Sequence, residues 1–268
     1  MRFDHTRQQT SRGRVPCIEV IMNDDIKIFI GSSSNGEDAQ IEAAYEFSLR
    51  HNCSRDLDIE WMRQTNDCDS WWGGWNTPAW STPFSGFRWA IPEFCNFEGR
   101  AIYTDCDMIN YRDMADLIDI DMQGKPVAAR RGNRFGGHEF CVMVFDCAAF
   151  QQYSLPLARM KNIAETHHRM IRKFSGNSDL VHDLDPKWNV LDGENYRIEN
   201  MYQLHFTNMA TQPWTPGWYT GKTQPHPRED VVQEFYKYLE LATNAGFDPS
   251  FVKQQLQEDI VQYNIIGR

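Results

Sequence analysis

The sequence predicts an α/β fold with a mixed, mainly parallel sheet flanked by helices. A strand at 26–30 leads through a loop of small polar residues into a helical pattern, and an alternating strand pattern at 57–62 follows that helix. Two strands joined through a helix typically lie parallel in one sheet. Further strands are predicted at 100–104, 127–129, 140–145 and 202–206. The run at 140–145 is almost continuously apolar, which predicts a central strand.

The chain is predicted to have three parts. Residues 1–25 form an N-terminal arm, residues 26–228 form the main domain, and residues 229–268 form two helices packed on it. The first of these helices, predicted at 229–245, carries one apolar stripe, and the second is predicted at 251–263. The stripe of the first helix consists of Val231, Phe235, Leu239 and Ala242.

Composition argues against several classes of partner. The 268 residues are 41% hydrophobic, which is enough for one large core. A formal net charge of -10 argues against a nucleic-acid or anionic-membrane surface, since both partners need a basic footprint. The 7 cysteines contain no CxxC pair, which favours free thiols in a reducing compartment. No apolar run reaches the length of about 18 residues that a transmembrane helix needs, so we expect a cytoplasmic protein.

The first strand ends at Gly31 in a polar loop, 31–36. Apolar residues at helical spacing follow, and Ser34 or Asn35 is available as the N-cap of that helix. Strand, small-residue loop and helix form the opening unit of nucleotide-binding α/β proteins.

The segment 66–83 is irregular and rich in tryptophan. Two interpretations of these rings stay open. They cap a core and hold a long loop in place, or Trp72 and Trp75 offer indole faces on which an acceptor sugar stacks. Further along, 113–120 predicts a short helix and 148–174 is helical in character, where the adjacent His167 and His168 face different ways and are expected at the surface.

Two carboxylates follow the strand at 100–104. In extended chain, residues i and i+2 point the same way, so Asp105 and Asp107 can present oxygens to one point. Hard oxygen donors on one side suit a divalent cation that also binds water and a phosphorylated ligand. The same spacing recurs at sites such as Asp56 and Asp58, and most such pairs in an acidic chain are solvated turns. The apolar strand before Asp105 distinguishes this pair.

Several segments taken together resemble the family 8 glycosyltransferases and their GT-A relatives, including the glycogenin-like and lipopolysaccharide galactosyltransferase-like enzymes. The matching segments are Ile28-Phe29-Ile30-Gly31-Ser32, Thr82-Pro83-Phe84-Ser85-Gly86-Phe87-Arg88, Gly99 to Met108 with Asp105-Cys106-Asp107, Pro186-Lys187-Trp188-Asn189, Leu204-His205-Phe206 and Gln212-Pro213-Trp214. They occur in the family's order over most of residues 26–222. The resemblance implies a Rossmann-like GT-A domain.

The resemblance also implies an activity, the metal-dependent transfer of a hexose-type sugar from a UDP-sugar donor to a carbohydrate or glycoconjugate acceptor with retention of configuration. Asp105, Asp107 and His205 would hold Mn²⁺ (or Mg²⁺), and the ion would bind the donor diphosphate. The residues expected at the donor are Gly31, Ser32, Ser33, Arg88, Cys106 and Lys222. Those expected at the acceptor are Trp72, Trp75 and Trp214. No catalytic base or nucleophile is assigned.

The chain departs from the family pattern at three places. Gln212 stands where the family has a lysine before Pro-Trp, so a phosphate contact is missing unless Lys222 replaces it. The segment 139–141 replaces an Asn-x-Gly motif, and the usual Asp-Gln-Asp segment has only Asp179 and Asp183 as candidate counterparts. The transferred sugar, the acceptor and the oligomeric state therefore stay open.

Two other classes compete with the transferase. One is a catalytically silent relative that binds a nucleotide sugar or a carbohydrate, which the departures favour. The other is a phosphatase of the haloacid-dehalogenase type, which also has Asp-x-Asp after a strand. That class has Thr or Val two residues after the second Asp, where this chain has Ile109.

Overall fold

Strands and helices alternate along the chain, and the computed structural model describes residues 25–67, 69–132, 137–214 and 221–247. The strands are β1 (Ile26–Gly31), β2 (Leu57–Met62), β3 (Arg100–Asp105), β4 (Met108–Asn110), β5 (Val127–Arg131), β6 (His138–Asp146), β7 (Val181–Leu184), β8 (Val190–Leu191) and β9 (Gln203–His205). The helices are α1 (Ala39–Asn52), α2 (Ile91–Phe94), α3 (Ala115–Ile118), α4 (Cys147–Phe150), α5 (Leu157–Asn162), α6 (Glu165–Phe174) and α7 (Glu229–Asn244). Short 3-10 turns cover Phe87–Ala90, Gln151–Tyr153, Pro186–Asn189 and Ile198–Asn200.

A six-stranded sheet with the order β2-β1-β3-β6-β5-β7 forms the centre of the fold. β1 pairs in parallel with β2 and β3, and β5 pairs in parallel with β7. Among the strands described in this sheet, β6 runs against the others, because it pairs antiparallel with both β3 and β5. The predicted mixed, mainly parallel sheet is confirmed. A second sheet has the order β4-β9-β8.

Apart from the exposed Lys27, β1 is buried on both faces, because helices or loops cover both sides of the sheet. Ile28 and Ile30 pack with Tyr45 of α1, whereas Phe29 belongs to the aromatic cluster on the opposite face. The predicted cap of α1 is wrong. The helix begins at Ala39, and neither the residue before it, Asp38, nor the loop upstream provides a side-chain cap.

The tryptophan-rich segment packs into the core. Trp72 is 4% exposed and Trp75 is 5% exposed. Trp72 stacks on Phe87 with 5.4 Å between ring centroids, and its indole N–H donates to Glu60 over 2.7 Å. The Trp75 N–H donates to the Trp71 carbonyl. Both rings are closed to an acceptor sugar, so the structure contradicts the acceptor interpretation of these two residues and supports the packing one.

The helical segment after β6 consists of three helices, and one prediction within it is wrong. His168 is half-buried, but His167 is buried on α6 because it shares the inward face with Met170 and Phe174. Its Nδ1 accepts the Trp89 indole N–H over 3.1 Å. An aromatic partner therefore satisfies the imidazole that local spacing assigned to the surface.

α7 packs on α1 through an apolar stripe. Val231, Phe235 and Tyr238 join Ile41 and Ala44 in one cluster. Tyr238 occupies the position in the buried stripe that was predicted for Leu239, which is half-buried. The predicted arm up to residue 24 and the predicted helix at 251–263 lie outside the described residues. In the part of the chain that the structure describes, no helix combines the length and apolar character that crossing a bilayer requires.

We predict that His167 makes stability pH-dependent. Burial, followed by the positive charge of Arg88, lowers the pKa of His167 from 6.5 to about 3. Between these values the unfolded state binds more protons, so the free energy of unfolding falls as the pH drops through this window. His167→Gln keeps an acceptor for the Trp89 indole but does not titrate. Urea unfolding from about pH 7.5 down to about pH 4.5 should show a slope up to about 1.4 kcal/mol per pH unit steeper for the wild type, and equal slopes would contradict the assignment.

Candidate functional site

The two carboxylates of the Asp-x-Asp motif lie at the junction between the two sheets. Asp105 is the last residue of β3, and Cys106 and Asp107 form a bend before β4 begins at Met108. The two side chains are therefore oriented by a bend, and the predicted alternation along one extended strand is wrong.

Pairing of β4 with β9 brings His205 to this bend. The register is antiparallel with Met108 opposite His205, and the Phe206 N–H donates to the Asp107 carbonyl over 2.9 Å. As a result, His205 Nε2 lies 3.2 Å from Asp107 Oδ1. The structure thus brings together the three residues that the sequence predicts as metal ligands.

Asp105 is held by two donors. Tyr103 donates its hydroxyl and Arg88 donates Nη2, over 3.2 Å, to the same oxygen of Asp105, Oδ1. The Arg88 guanidinium lies over the Tyr103 ring, 4.3 Å from its centroid, and also donates to the carbonyls of Ser85 and Phe140. Arg88 is buried, and each of its three nitrogens donates to one of these protein acceptors. Arg88 therefore orients Asp105 directly. The predicted contact of Arg88 with the nucleotide-sugar donor stays a prediction.

Cys141 also belongs to the site, although the sequence did not select it as a site residue. β6 runs antiparallel to β3 with Val142 opposite Thr104, which brings Cys141 next to Asp105. One ligand atom each of Asp105, Cys141 and His205 lies within 4.8 Å of the others. The sequence shows Cys141 at the start of the apolar run at 140–145. Its place in the site could not be predicted from this position alone, because it depends on the antiparallel direction of β6 relative to β3.

Asn189 sets the orientation of the His205 ring. Its Oδ1 lies 2.9 Å from His205 Nδ1, and an amide oxygen can only accept, so Nδ1 carries a proton. Nε2 then faces Asp107. The Asn189 backbone carbonyl in turn accepts from Arg130, which pairs with Glu194. Arg130 and Asn189 therefore hold the His205 ring so that Nε2 points at the carboxylates. Metal-binding histidines are oriented in the same way by a hydrogen bond to their other ring nitrogen.

The electrostatics of the site favour a bound cation. Burial raises the pKa of Asp107, and the charge of Asp105 adds to this effect while His205 opposes it. Burial lowers the pKa of His205, but the charges of Asp107 and Asp105 outweigh it and raise the pKa above its ordinary value. Asp107 Oδ1 is buried and makes no hydrogen bond with the described residues. Carboxylates with an unsatisfied oxygen beside an oriented imidazole fit the donor set of a divalent cation.

A cavity of about 350 Å³ adjoins Asp107. Four chain segments form its walls, namely the loop after β1, the segment before the Phe87–Ala90 turn, the bend between β3 and β4, and the segment after β9. Its lining residues are Ser33, Asn35, Glu37, Asp38, Ser81, Thr82, Pro83, Phe84, Cys106, Asp107, Met209, Gln212 and Trp214. Such a volume lies within the range of small-molecule sites.

The residues predicted at the donor divide into two groups. Ser33 and Cys106 line the cavity, together with Trp214. Gly31 and Ser32 lie behind its wall, since the Ser32 hydroxyl donates to the buried Glu42 and a Cβ at Gly31 would lie 2.6 Å from Phe84. Lys222 is exposed and does not line this cavity in the described part of the chain, so its predicted phosphate contact stays a prediction.

No protein-family model and no curated protein sequence matches this chain. Several solved structures, in contrast, are similar to it. The glycosyltransferase GlyE of Streptococcus pneumoniae aligns with a TM-score of 0.57 and 18% identity, over 89% of this chain and 64% of that one. The bifunctional glycosyltransferase WbbM aligns with a TM-score of 0.54 and 12% identity, over 82% of this chain and 50% of that one. This chain therefore spans half of the WbbM chain and under two thirds of the GlyE chain.

The galactosyltransferase LgtC, solved in complex with donor and acceptor sugar analogues, is similar over nearly its whole length. It aligns with a TM-score of 0.52 and 10% identity, over 82% of this chain and 96% of that one. These three likenesses show that the chain has the GT-A fold of glycosyltransferases, which confirms the fold that the resemblance implied.

We predict that Asn189 supports metal affinity without contacting the ion. Asn189→Ala removes the acceptor for His205 Nδ1, so the imidazole loses its fixed orientation. Mn²⁺ affinity should fall roughly 10- to 100-fold, the usual cost of losing such a contact, in a calorimetric titration. The matched control is Asn76→Ala, since Asn76 is exposed and bonds to the Asn162 carbonyl instead. Equal affinities in the two folded variants would contradict this role of Asn189.

Proposed function

We propose that this chain is a metal-dependent glycosyltransferase that moves a hexose-type sugar from a UDP-sugar to an acceptor hydroxyl with retention of configuration. One observation carries the proposal. Asp105, Asp107 and His205 converge beside a cavity of about 350 Å³, in a chain that has the fold of glycosyltransferases.

The charge of the site supports metal dependence. A nucleotide in the cavity would lie next to Asp107, which belongs to both the cavity wall and the ligand cluster. Its diphosphate would then approach two carboxylates. Arg88 pairs with Asp105 and compensates that carboxylate only, so the charge of Asp107 still repels the diphosphate. Mn²⁺ or Mg²⁺, held by Asp105, Asp107 and His205, would neutralise the charge that develops on the departing diphosphate.

The chain's own residues orient the reactants. Tyr103 and Arg88 hold Asp105, and Asn189 holds His205, so the groups around the diphosphate are organised before the donor binds. In the reaction the bond between the sugar C1 and the diphosphate oxygen breaks, and a bond from C1 to the acceptor oxygen forms. Retention requires attack on the face that the diphosphate leaves, so a leaving phosphate oxygen takes the acceptor's proton. No protein nucleophile is assigned.

We predict that UDP release from a panel of UDP-sugars will require Mn²⁺ or Mg²⁺ and Asp107. Asp107→Asn keeps the shape of the side chain but removes its charge, so turnover should fall at least about 100-fold, with thermal unfolding used to check the fold. Asp58→Asn is the matched control, because Asp58 belongs to another Asp-x-Asp pair and is exposed on β2. Retained turnover in folded Asp107→Asn, or equal loss in both variants, would reject the role of the acidic pair.

A catalytically silent, nucleotide-sugar-binding relative is the second candidate. Gln212 lines the cavity at the position where the resemblance calls for a lysine, and Glu139 and Cys141 occupy the Asn-x-Gly segment. These replacements leave a binding cavity but remove expected donor contacts. UDP binding without release from any UDP-sugar would identify this relative.

A further inference from the structure

The Cys141 thiol faces the acidic bend, although the proposed function gives it no role. Its neighbours on β6, Phe140 and Val142, are buried, whereas Cys141 is half-buried. One ligand atom each of Asp105, Cys141 and His205 lies within 4.8 Å of the others. A carboxylate, a thiol and an imidazole therefore converge from three different strands, β3, β6 and β9.

An irregularity in the central sheet lies at this thiol. The register of β5 against β6 shifts between Ala129 and Arg130, so that residues 140–142 of β6 are skipped in this ladder. Irregularities of this kind re-aim side chains and are common next to active sites. The skipped stretch is centred on Cys141, which lies beside Asp105 at the end of β3. The bulged backbone therefore presents this side chain to the acidic bend.

The spacing of the three atoms fits the ligands of a single ion. Around Zn²⁺, a thiolate sulfur lies at about 2.3 Å and a nitrogen or oxygen at about 2.0–2.2 Å. Two ligands on opposite sides of one ion are thus roughly 4.5 Å apart, and ligands at smaller angles are closer. The limit of 4.8 Å on the distances between the atoms of Asp105, Cys141 and His205 is close to this span.

The side chains around the thiol are already held in place. Tyr103 and Arg88 donate to one oxygen of Asp105, and Asn189 fixes the ring of His205. A thiol that binds a metal ion gives up its proton, and the ion takes the place of that proton. Metal binding by Cys141 therefore begins from a set of oriented partners.

A sulfur ligand changes which ions a site prefers. Mg²⁺ takes oxygen ligands in a nearly octahedral arrangement, whereas thiolates select softer ions such as Zn²⁺. For a given set of nitrogen, oxygen and sulfur ligands, affinity also rises from Mn²⁺ to Co²⁺. Cys141 stands where the resemblance calls for the glycine of an Asn-x-Gly motif, so this sulfur atom is a departure of this chain from that pattern.

We propose that Cys141 is a further ligand of the divalent ion and makes the site prefer thiophilic cations, such as Co²⁺ and Zn²⁺, over Mg²⁺. This inference rests on the proposed function, in which Asp105, Asp107 and His205 hold an ion at the diphosphate. It adds a fourth side chain to that set and a reason for the site to discriminate between ions.

The test is the absorption spectrum of the protein with an equimolar amount of Co²⁺ and with UDP present. A thiolate bound to Co²⁺ gives a charge-transfer band in the near ultraviolet that oxygen and nitrogen ligands do not give. The wild type should show this band, and folded Cys141→Ser should not. The matched control is Cys53→Ser, which should keep the band, because the Cys53 thiol also donates to a carboxylate, Asp113 over 3.3 Å, but is not part of the cluster.

Affinities for two ions separate a ligand from a residue that only packs. Loss of a direct ligand should lower the Co²⁺ affinity of Cys141→Ser by at least about 10-fold, since losing even an outer contact of a ligand costs that much. The Mg²⁺ affinity should stay close to that of the wild type, because Mg²⁺ gains little from sulfur. A packing role would instead weaken the binding of both ions alike.

The wild-type spectrum decides the question even if Cys141→Ser does not fold. Co²⁺ that binds to the wild type without the thiolate band would overturn the role of Cys141 and leave metal-dependent transfer intact. A band that folded Cys141→Ser retains, or an equal loss of Co²⁺ and Mg²⁺ affinity in that variant, would have the same consequence. A wild type that binds neither ion in the presence of UDP would overturn both the inference and the proposed function.

Discussion

The antiparallel pairing of β4 with β9 is the constraint on which the site depends. It sets Met108 opposite His205, and it joins the Phe206 N–H to the Asp107 carbonyl. A shift of one residue in this register would turn the imidazole to the opposite face of the sheet. The acidic bend and the histidine come from distant parts of the sequence, so this short sheet, rather than any local motif, creates the cluster.

The same pairing supports the wall of the cavity. Phe206, directly after β9, packs edge-on against Trp214 with 5.3 Å between ring centroids, and Trp214 stacks on Phe235 of α7 at the same distance. Trp214 also holds Asp38 at the other side of the cavity. The C-terminal helix, the strand that carries His205 and the loop after β1 are therefore joined through one indole ring. This explains why a helix far from the acidic bend in sequence contributes to the geometry of the site.

The buried charges near the site have partners of opposite charge, but one of these pairs is not hydrogen-bonded. Arg88 and Asp105 compensate each other over the Tyr103 ring, and Arg130 pairs with Glu194 behind Asn189. Asp107 Oδ1 lies 3.2 Å from His205 Nε2, but it is buried without a hydrogen bond to the described residues. An unsatisfied buried polar atom costs free energy and requires an explanation. A cation that binds only in the functional state supplies one.

Local sequence patterns predicted the elements of the sheet but not their spatial relations. The apolar strands and the acidic pair were identified because alternation and charge are local properties. The direction of β6, which brings Cys141 to Asp105, depends on tertiary pairing and has no local signal. The burial of Trp72 and of His167 likewise depends on distant partners. His205 and its neighbours were found only through the order of motifs that resemble a known family.

Pulsed electron paramagnetic resonance of Mn²⁺ bound to the protein with UDP tests the central claim most directly. The account predicts a nitrogen hyperfine coupling from the His205 imidazole and a phosphorus coupling from the diphosphate, and the nitrogen coupling should disappear in His205→Gln. Bound Mn²⁺ without nitrogen coupling in the wild type, or UDP that binds equally tightly after the metal has been chelated, would contradict it.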